Sequence, residues 1–194
     1  KRTAKVNELL ERPAYAAWWA TKLCDLTGNN LAQLANPALR DVEAKQWHHW
    51  LEARLQQNMP YDEIVEGIVL AVGRREGQTF EEYCAEMSEY YRDRSGKSFA
   101  EHPTLPHYWT RRNMQKPEEK ALSFAYAFLG VRLQCAECHK HPFDQWSKYD
   151  FDHFKAFFTN VTYRVRAEDL LAFQRINNEA ELAGLRGAEQ QRGL

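Results

Sequence analysis

Apolar residues recur at helical spacing along most of this chain, and they do so between explicit helix starts and stops, which restricts the fold more than any other feature. Pro13 stands where a helix tolerates proline, in the first turn, and the run continues through Tyr15, Trp18, Trp19, Leu23 and Leu26 to a stop at Gly28-Asn29-Asn30. The spacing predicts a second helix from about Asp41 to Asn58, with Trp47, Trp50, Leu51 and Leu55 on one face and Pro60 beyond its end. Asp62 is placed to cap a third helix through Ile64, Val65, Ile68, Val69 and Val72, closed by Gly73. Thr79-Phe80-Glu81-Glu82 has the reciprocal capping spacing that opens a fourth.

From Arg92 to Pro117 the rhythm breaks, with Ser95-Gly96, Pro103, Pro106 and Pro117 as punctuation, and a long structured loop is expected. Pro117-Glu118-Glu119 then makes a strong helix start, because an early proline costs no helical bond and carboxylates suit the positive end of the dipole. Leu122, Ala125, Tyr126 and Leu129 keep helical spacing up to Gly130, and Ser147 with Asp150 opens a short helix carrying Phe151, Phe154, Phe157 and Phe158. Val161, Tyr163 and Val165 alternate with polar residues at the period of a strand. The tail reads as helical from Glu168 to about Leu185 and frayed over 186–194. The expectation is therefore a mainly α chain, one irregular helical domain over 1–194 with long structured loops and at most a short strand near 160–166.

Composition decides what such a chain can bind. With 194 residues and 44% apolar content, it can bury a core without relying on staples. A formal charge of -1 supplies no basic field for a phosphate backbone, so nucleic-acid binding is not expected. No apolar run approaches the roughly 20 residues that span a bilayer, so no transmembrane segment and a soluble chain are expected. Lys1 to Lys5 lead straight into an amphipathic helix with no signal-peptide core, as expected of a processed chain or of a piece of a longer one.

The chemistry concentrates in Cys135-Ala136-Glu137-Cys138-His139. Two thiols three residues apart lie on one side of a helical turn, where each can add to a vinyl group of haem, and the adjacent imidazole can serve as proximal iron ligand. This reading makes Cys135, Cys138 and His139 the binding residues of a covalently held haem c, with His139 on the metal. Such attachment occurs outside the cytoplasmic membrane, so a periplasmic or extracellular location goes with it. Zinc on Cys135, Cys138, His139 and His141 is the rival, although four ligands from one short stretch are sterically awkward. A thioredoxin-like pair would follow a strand in a βαβ setting, which this chain lacks. Two reduced cysteines beside an incidental histidine complete the alternatives.

The run from Phe128 through Cys135-Ala136-Glu137-Cys138-His139-Lys140-His141-Pro142-Phe143 to Trp146, followed by Tyr149-Asp150-Phe151 and Ala156-Phe157-Phe158, resembles the signature of the planctomycete-type cytochrome-like domain, the second of the two domains of that name. Leu9-Leu10 with Pro13-Ala14-Tyr15, and Asn58-Met59-Pro60-Tyr61-Asp62, are similar to it as well, so the likeness covers about residues 5–160. The resemblance implies an exported, mainly helical module, usually set within larger proteins, with thioethers at Cys135 and Cys138 and iron on His139. The companion domains are absent from this chain.

A carrier of this kind would exchange electrons with other redox proteins or domains of a larger complex, without substrate chemistry of its own. No Gly-x-Ser-x-Gly, His-Glu-x-x-His or phosphate-cradling loop marks an enzyme. The distal ligand stays open. Met59, Met87 and Met114 all precede the motif, which leaves His107, Met114, His153, His48, His49 or none, and an open iron face would suit a sensor or small peroxidase. His141 is read as a contact to the haem surroundings or as a turn-stabilising side chain. Trp146, Phe143, Phe151, Phe154, Phe157 and Phe158 could wall the pocket or fill the core, and Cys24 and Cys84 could pair or stay buried. The alternative function is a non-catalytic binding or assembly subunit whose Cys/His cluster holds zinc or nothing.

Overall fold

The computed structural model describes residues 1–71, 73–91, 97–163 and 165–182. Among them the chain forms nine α-helices and no strand: α1 Arg2–Leu10, α2 Pro13–Thr27, α3 Arg40–Gln56, α4 Tyr61–Val69, α5 Phe80–Glu89, α6 Tyr108–Arg111, α7 Pro117–Phe124, α8 Lys148–Ala156 and α9 Leu170–Leu182. The mainly α expectation holds. Thr79 accepts from the Glu82 amide at 3.2 Å while Glu82 accepts from the Thr79 amide at 2.9 Å, so the expected capping box opens α5. Helix α4 starts two residues earlier than expected, with Pro60 in the cap position; Asp62 therefore lies in the first turn, where its carboxylate meets the positive end of the dipole. That helix ends at Val69, short of Gly73, and Val72 lies outside the described residues.

The core is centred on α3. Trp47, Trp50 and Leu51 are buried there with Ile64 and Ile68 of α4, Ala20 and Cys24 of α2, and Ala121, Ala125 and Phe128 further along the chain. Each such large side chain contributes roughly 1.5–3 kcal/mol relative to exposure. Helix α4 can approach this closely because of Gly67: a Cβ there would stand 3.1 Å from the Trp50 ring.

Helix α2 buries its small face and leaves its bulky one outside. Ala16, Ala20, Cys24 and Thr27 form its buried side against α3, whereas Tyr15, Trp18, Trp19 and Leu26 are exposed. Small residues at i, i+4, i+8 and i+11 let the two helix backbones approach, and the bulky stripe is left outside.

The irregular stretch beyond α5 is structured, as expected, by side chains reaching out of α3; residues 92–96 lie outside the described part. Arg54 is buried over the Trp50 ring, 4.3 Å from its centroid, and donates to the carbonyls of Ala100 and His102. Trp50 Nε1 also donates to His102, at 2.9 Å. Arg111, likewise buried, donates to the Glu43 carbonyl at 3.2 Å and to Gln46 Oε1 at 2.9 Å. Loop carbonyls that could not reach a ladder are satisfied in this way.

The short strand near 160–166 does not form among the described residues of that segment. Val161 and Tyr163 lean on the core while Thr162 faces out, but Val165 is exposed, and among the described residues no second strand lies alongside to share a ladder. The chain then enters α9, tied to α5 by Glu81–Arg175 at 2.8 Å and the Phe80–Phe173 ring contact, and to Arg74 through Asp169 at 2.7 Å. Residues 183–194, with the expected frayed tail, lie outside the described part.

Candidate functional site

Helix α7 delivers the chain to the cysteine motif. It opens as expected, with Pro117 in its first turn and the Lys116 amide donating to Glu119 Oε2 at 3.3 Å. It then widens into a π-turn over Ala125–Leu129 and stops at Gly130, whose φ of 67° is the left-handed conformation that glycine adopts without a Cβ penalty. After Val131 and Arg132, Leu133 is buried and a 3-10 turn follows over Gln134–Glu137.

Ala136 is the anchor of that turn, with 0% of its surface exposed, and it packs against the same core as Phe151 and Phe158. With Ala136 pointing inward, Cys135 and Cys138 are both exposed. Cys138 caps the 3-10 turn, its amide donating to the Cys135 carbonyl at 3.4 Å, and residues joined from i to i+3 in this way project toward one side. The His139 amide closes the turn onto the Cys135 carbonyl at 3.2 Å. The exposed His139 ring places Nδ1 2.7 Å from the Lys140 carbonyl oxygen.

The loop that follows is closed by the His141 amide on the Trp146 carbonyl at 2.7 Å. His141 Nδ1 accepts from the Phe143 amide at 3.3 Å, which makes it a turn-holding side chain. Phe143, at the loop tip, is 94% exposed. Ser147 and Asp150 then form the expected capping box of α8, with reciprocal bonds of 3.2 and 2.8 Å; Ser147 Oγ also donates to the Asp150 carboxylate at 2.6 Å, and this bond first, with that from the Ser147 amide, holds the carboxyl below its usual range. Helix α8 packs on the cysteine turn and on α7. The aromatic residues after the motif divide accordingly: Phe151 and Phe158 fill the core, Phe154 and Trp146 lean on it, and Phe143 and Phe157 are exposed.

The distal candidates are scattered. His107, in the left-handed conformation with φ 67°, pairs through Nε2 with Tyr83 Oη at 2.6 Å, and burial pushes it down to about 4. Met114 is a core residue. His48 Nε2 lies 3.2 Å from Thr21 Oγ1 and His49 is exposed. His153 is on α8, its ring 4.0 Å from that of Tyr149. Among the described residues no three His, Cys, Asp or Glu side chains converge as a metal cage, so Cys135, Cys138, His139 and His141 do not assemble a preformed tetrahedral set. Cys24 and Cys84 are free thiols: Cys24 accepts from Asn29 Nδ2 at 3.1 Å and burial pushes it up to about 11, and burial raises Cys84 as well.

The Tyr83–His107 pair was not anticipated from the sequence. It lines a cavity of about 330 Å³ together with Arg74, Asp169, Trp109 and Tyr163, and none of Cys135, Cys138 or His139 reaches it. Its partners lie 24 residues apart in irregular and helical segments, and no local spacing signals such a contact.

Fold and site together define a helical module that presents a Cys-x-x-Cys-His turn on its surface, and no described helix is long and apolar enough to cross a membrane. The chain belongs to the PSCyt2 family of planctomycete cytochrome-like domains, described as a protein of unknown function (DUF1549), whose model matches residues 1–163. No curated protein and no solved structure matched the chain.

Proposed function

We propose that the chain is a mono-haem c-type electron-transfer module of the second planctomycete cytochrome type, with haem c attached at Cys135 and Cys138 and His139 as proximal ligand. The orientation of His139 carries this reading. A carbonyl oxygen only accepts, so the bond to Lys140 keeps the proton on Nδ1 and leaves Nε2 as the nitrogen with a free lone pair for iron. The donor set fits the group in two further respects. Both thiols are exposed on one side of a tight turn, and Phe143, Tyr149 and Phe157 expose apolar ring surface on the elements that follow it.

When bound, haem supplies one-electron chemistry at its iron. The chain's own part is to hold two sulfurs on a turn pinned by Ala136, and to orient an imidazole through its bond to the Lys140 carbonyl. No residue is assigned to bond-making on a substrate, so the module is a carrier and its partner is another redox protein or domain of a larger complex. Covalent attachment of haem c places it in the periplasm or outside the cell.

The test is the mass and the pyridine haemochrome spectrum of the chain, exported in a host that loads a control c-type cytochrome. One added haem and the α band of a haem with both vinyls saturated are expected. A bare polypeptide mass beside a loaded control overturns the reading and leaves a non-catalytic assembly role.

A further inference from the structure

We infer that the outer face of α2 is a docking surface for an anionic lipid headgroup layer. Tyr15, Trp18, Trp19, Lys22 and Leu26 follow one another at i, i+3, i+4, i+7 and i+11, a continuous stripe along one side of the helix, and every one of them is exposed. The rings are mutually ordered: Trp18 and Trp19 meet edge to face at 4.9 Å and Tyr15 approaches Trp19 at 6.3 Å. The opposite side, Ala16, Ala20, Cys24 and Thr27, is already used against the core, so this stripe is a second apolar face on a helix that needs only one. A soluble surface rarely keeps three large rings together in water without a use for them.

The charges around the stripe select the occupant. Lys22 stands within it, its Nζ 5.5 Å from the Trp18 ring centroid. Residues 1–26 hold Lys1, Arg2, Lys5, Arg12 and Lys22 against Glu8, Glu11 and Asp25, a local excess of two positive charges in a chain whose formal charge is -1. Glu8 draws in Lys5 at 2.7 Å and also Arg12, while Lys1, Arg2 and Lys22 have no carboxylate partner among the described residues. A second copy would set cation against cation. A phosphate-bearing surface complements the charge instead, and Trp and Tyr rings settle at the headgroup level because one end of each is apolar and the other polar. Helix α1 extends the same chemistry: it buries no residue, and Val6, Leu9 and Leu10 are exposed along it. Aromatic and aliphatic residues with flanking Lys and Arg are the composition of a helix that lies in the interface plane.

The experiment is co-sedimentation of the full chain with phosphatidylglycerol–phosphatidylcholine vesicles and with phosphatidylcholine vesicles alone. Binding to the anionic vesicles is expected to exceed binding to the neutral ones, and to weaken as salt rises from about 0.05 to about 0.5 M, because headgroup attraction is screened. The double variant Trp18→Ala/Trp19→Ala should lower partitioning by about tenfold or more, since both rings lose their buried area. Lys22→Glu should reduce binding to the anionic vesicles and leave the neutral ones unchanged. All these side chains are exposed, and unchanged far-UV circular dichroism confirms that the variants fold. Equal sedimentation with both vesicle types, binding untouched by the double variant, or a Trp18- and Trp19-dependent dimer in the absence of vesicles overturns the inference.

Discussion

His139 and Lys140 are joined by a hydrogen bond across a single peptide unit, from ring Nδ1 to backbone carbonyl at 2.7 Å. The same contact sets the tautomer and the ring direction of the proposed iron ligand. In the haem-loaded chain, His139→Ala is expected to keep both thioethers, and therefore the full mass, while losing the imidazole-bound signature of the reduced spectrum. An unchanged spectrum in that variant would transfer the iron to a different ligand.

Arg54 holds the stretch after α5 onto α3, and it does so from a buried position whose desolvation lowers its pKa. Replacing it with Met keeps the packing over Trp50 but strands the Ala100 carbonyl and half the bonding of His102. The expected cost is about 2–4 kcal/mol, since buried acceptors lose charged donors. A downward shift of the urea midpoint at constant slope measures it. Arg54→Lys should recover only part of the loss, because one ammonium cannot fork to two carbonyls.

The helices legible in the sequence were those with explicit ends. Thr79 with Glu82, Pro117 with Glu118 and Glu119, and Ser147 with Asp150 each open a helix, because a cap depends on neighbours three residues away. The Trp47-Trp50-Leu51 face was equally legible, since α3 has one apolar stripe to bury. Helix α2 has two candidate faces, and its spacing did not choose between them: close approach to α3 selects Ala16, Ala20 and Cys24, a tertiary demand that no local pattern encodes. The Val161–Val165 alternation failed for the converse reason. A strand needs a partner, and the described residues supply none. At the site, spacing placed the two thiols on one side, whereas the Lys140 bond that orients His139 and the Phe143 bond that engages His141 belong to backbone geometry and became visible only in the fold.

His107 gives stability a defined pH dependence. Burial is the first cause of its lowered pKa, with the charge of Arg111 second, and together they hold it neutral down to about 4, against about 6.5 in an unfolded chain. Between those values the unfolded chain takes up a proton that the folded chain refuses. Stability from this group is thus fully present above about pH 6.5 and is lost as pH falls toward 4, by at most about 3 kcal/mol. Glu43, raised chiefly by its own burial, acts in the opposite sense, since its folded form keeps a proton longer as pH rises. The difference between the wild type and His107→Asn isolates the histidine; Asn tolerates the left-handed backbone at this position. The variant should be less stable at neutral pH and should show a flatter slope between pH 4 and 6.5 in chemical denaturation. Parallel slopes would mean that His107 is protonated in the folded chain.

Gly67 tests how tightly α4 is seated. In an isolated helix, glycine to alanine stabilises by about 1 kcal/mol through propensity alone. Here the added methyl meets Cη2 of Trp50 at 3.1 Å and Cζ2 at 3.2 Å, closer than ordinary carbon contacts. Trp50 cannot yield easily, because its ring is buried beneath Arg54 and its Nε1 is committed to the His102 carbonyl. The Gly67 carbonyl also accepts from the Leu105 amide at 2.8 Å, so a displaced α4 would pull on the same stretch of chain. Overpacking of this kind costs about 1–3 kcal/mol and should outweigh the propensity gain. Gly67→Ala is therefore expected to lower the thermal midpoint, and the same substitution made in a Trp50→Phe background to cost less, because the indole edge it meets is gone. A midpoint raised by Gly67→Ala alone would show that the helix has room to shift at this contact.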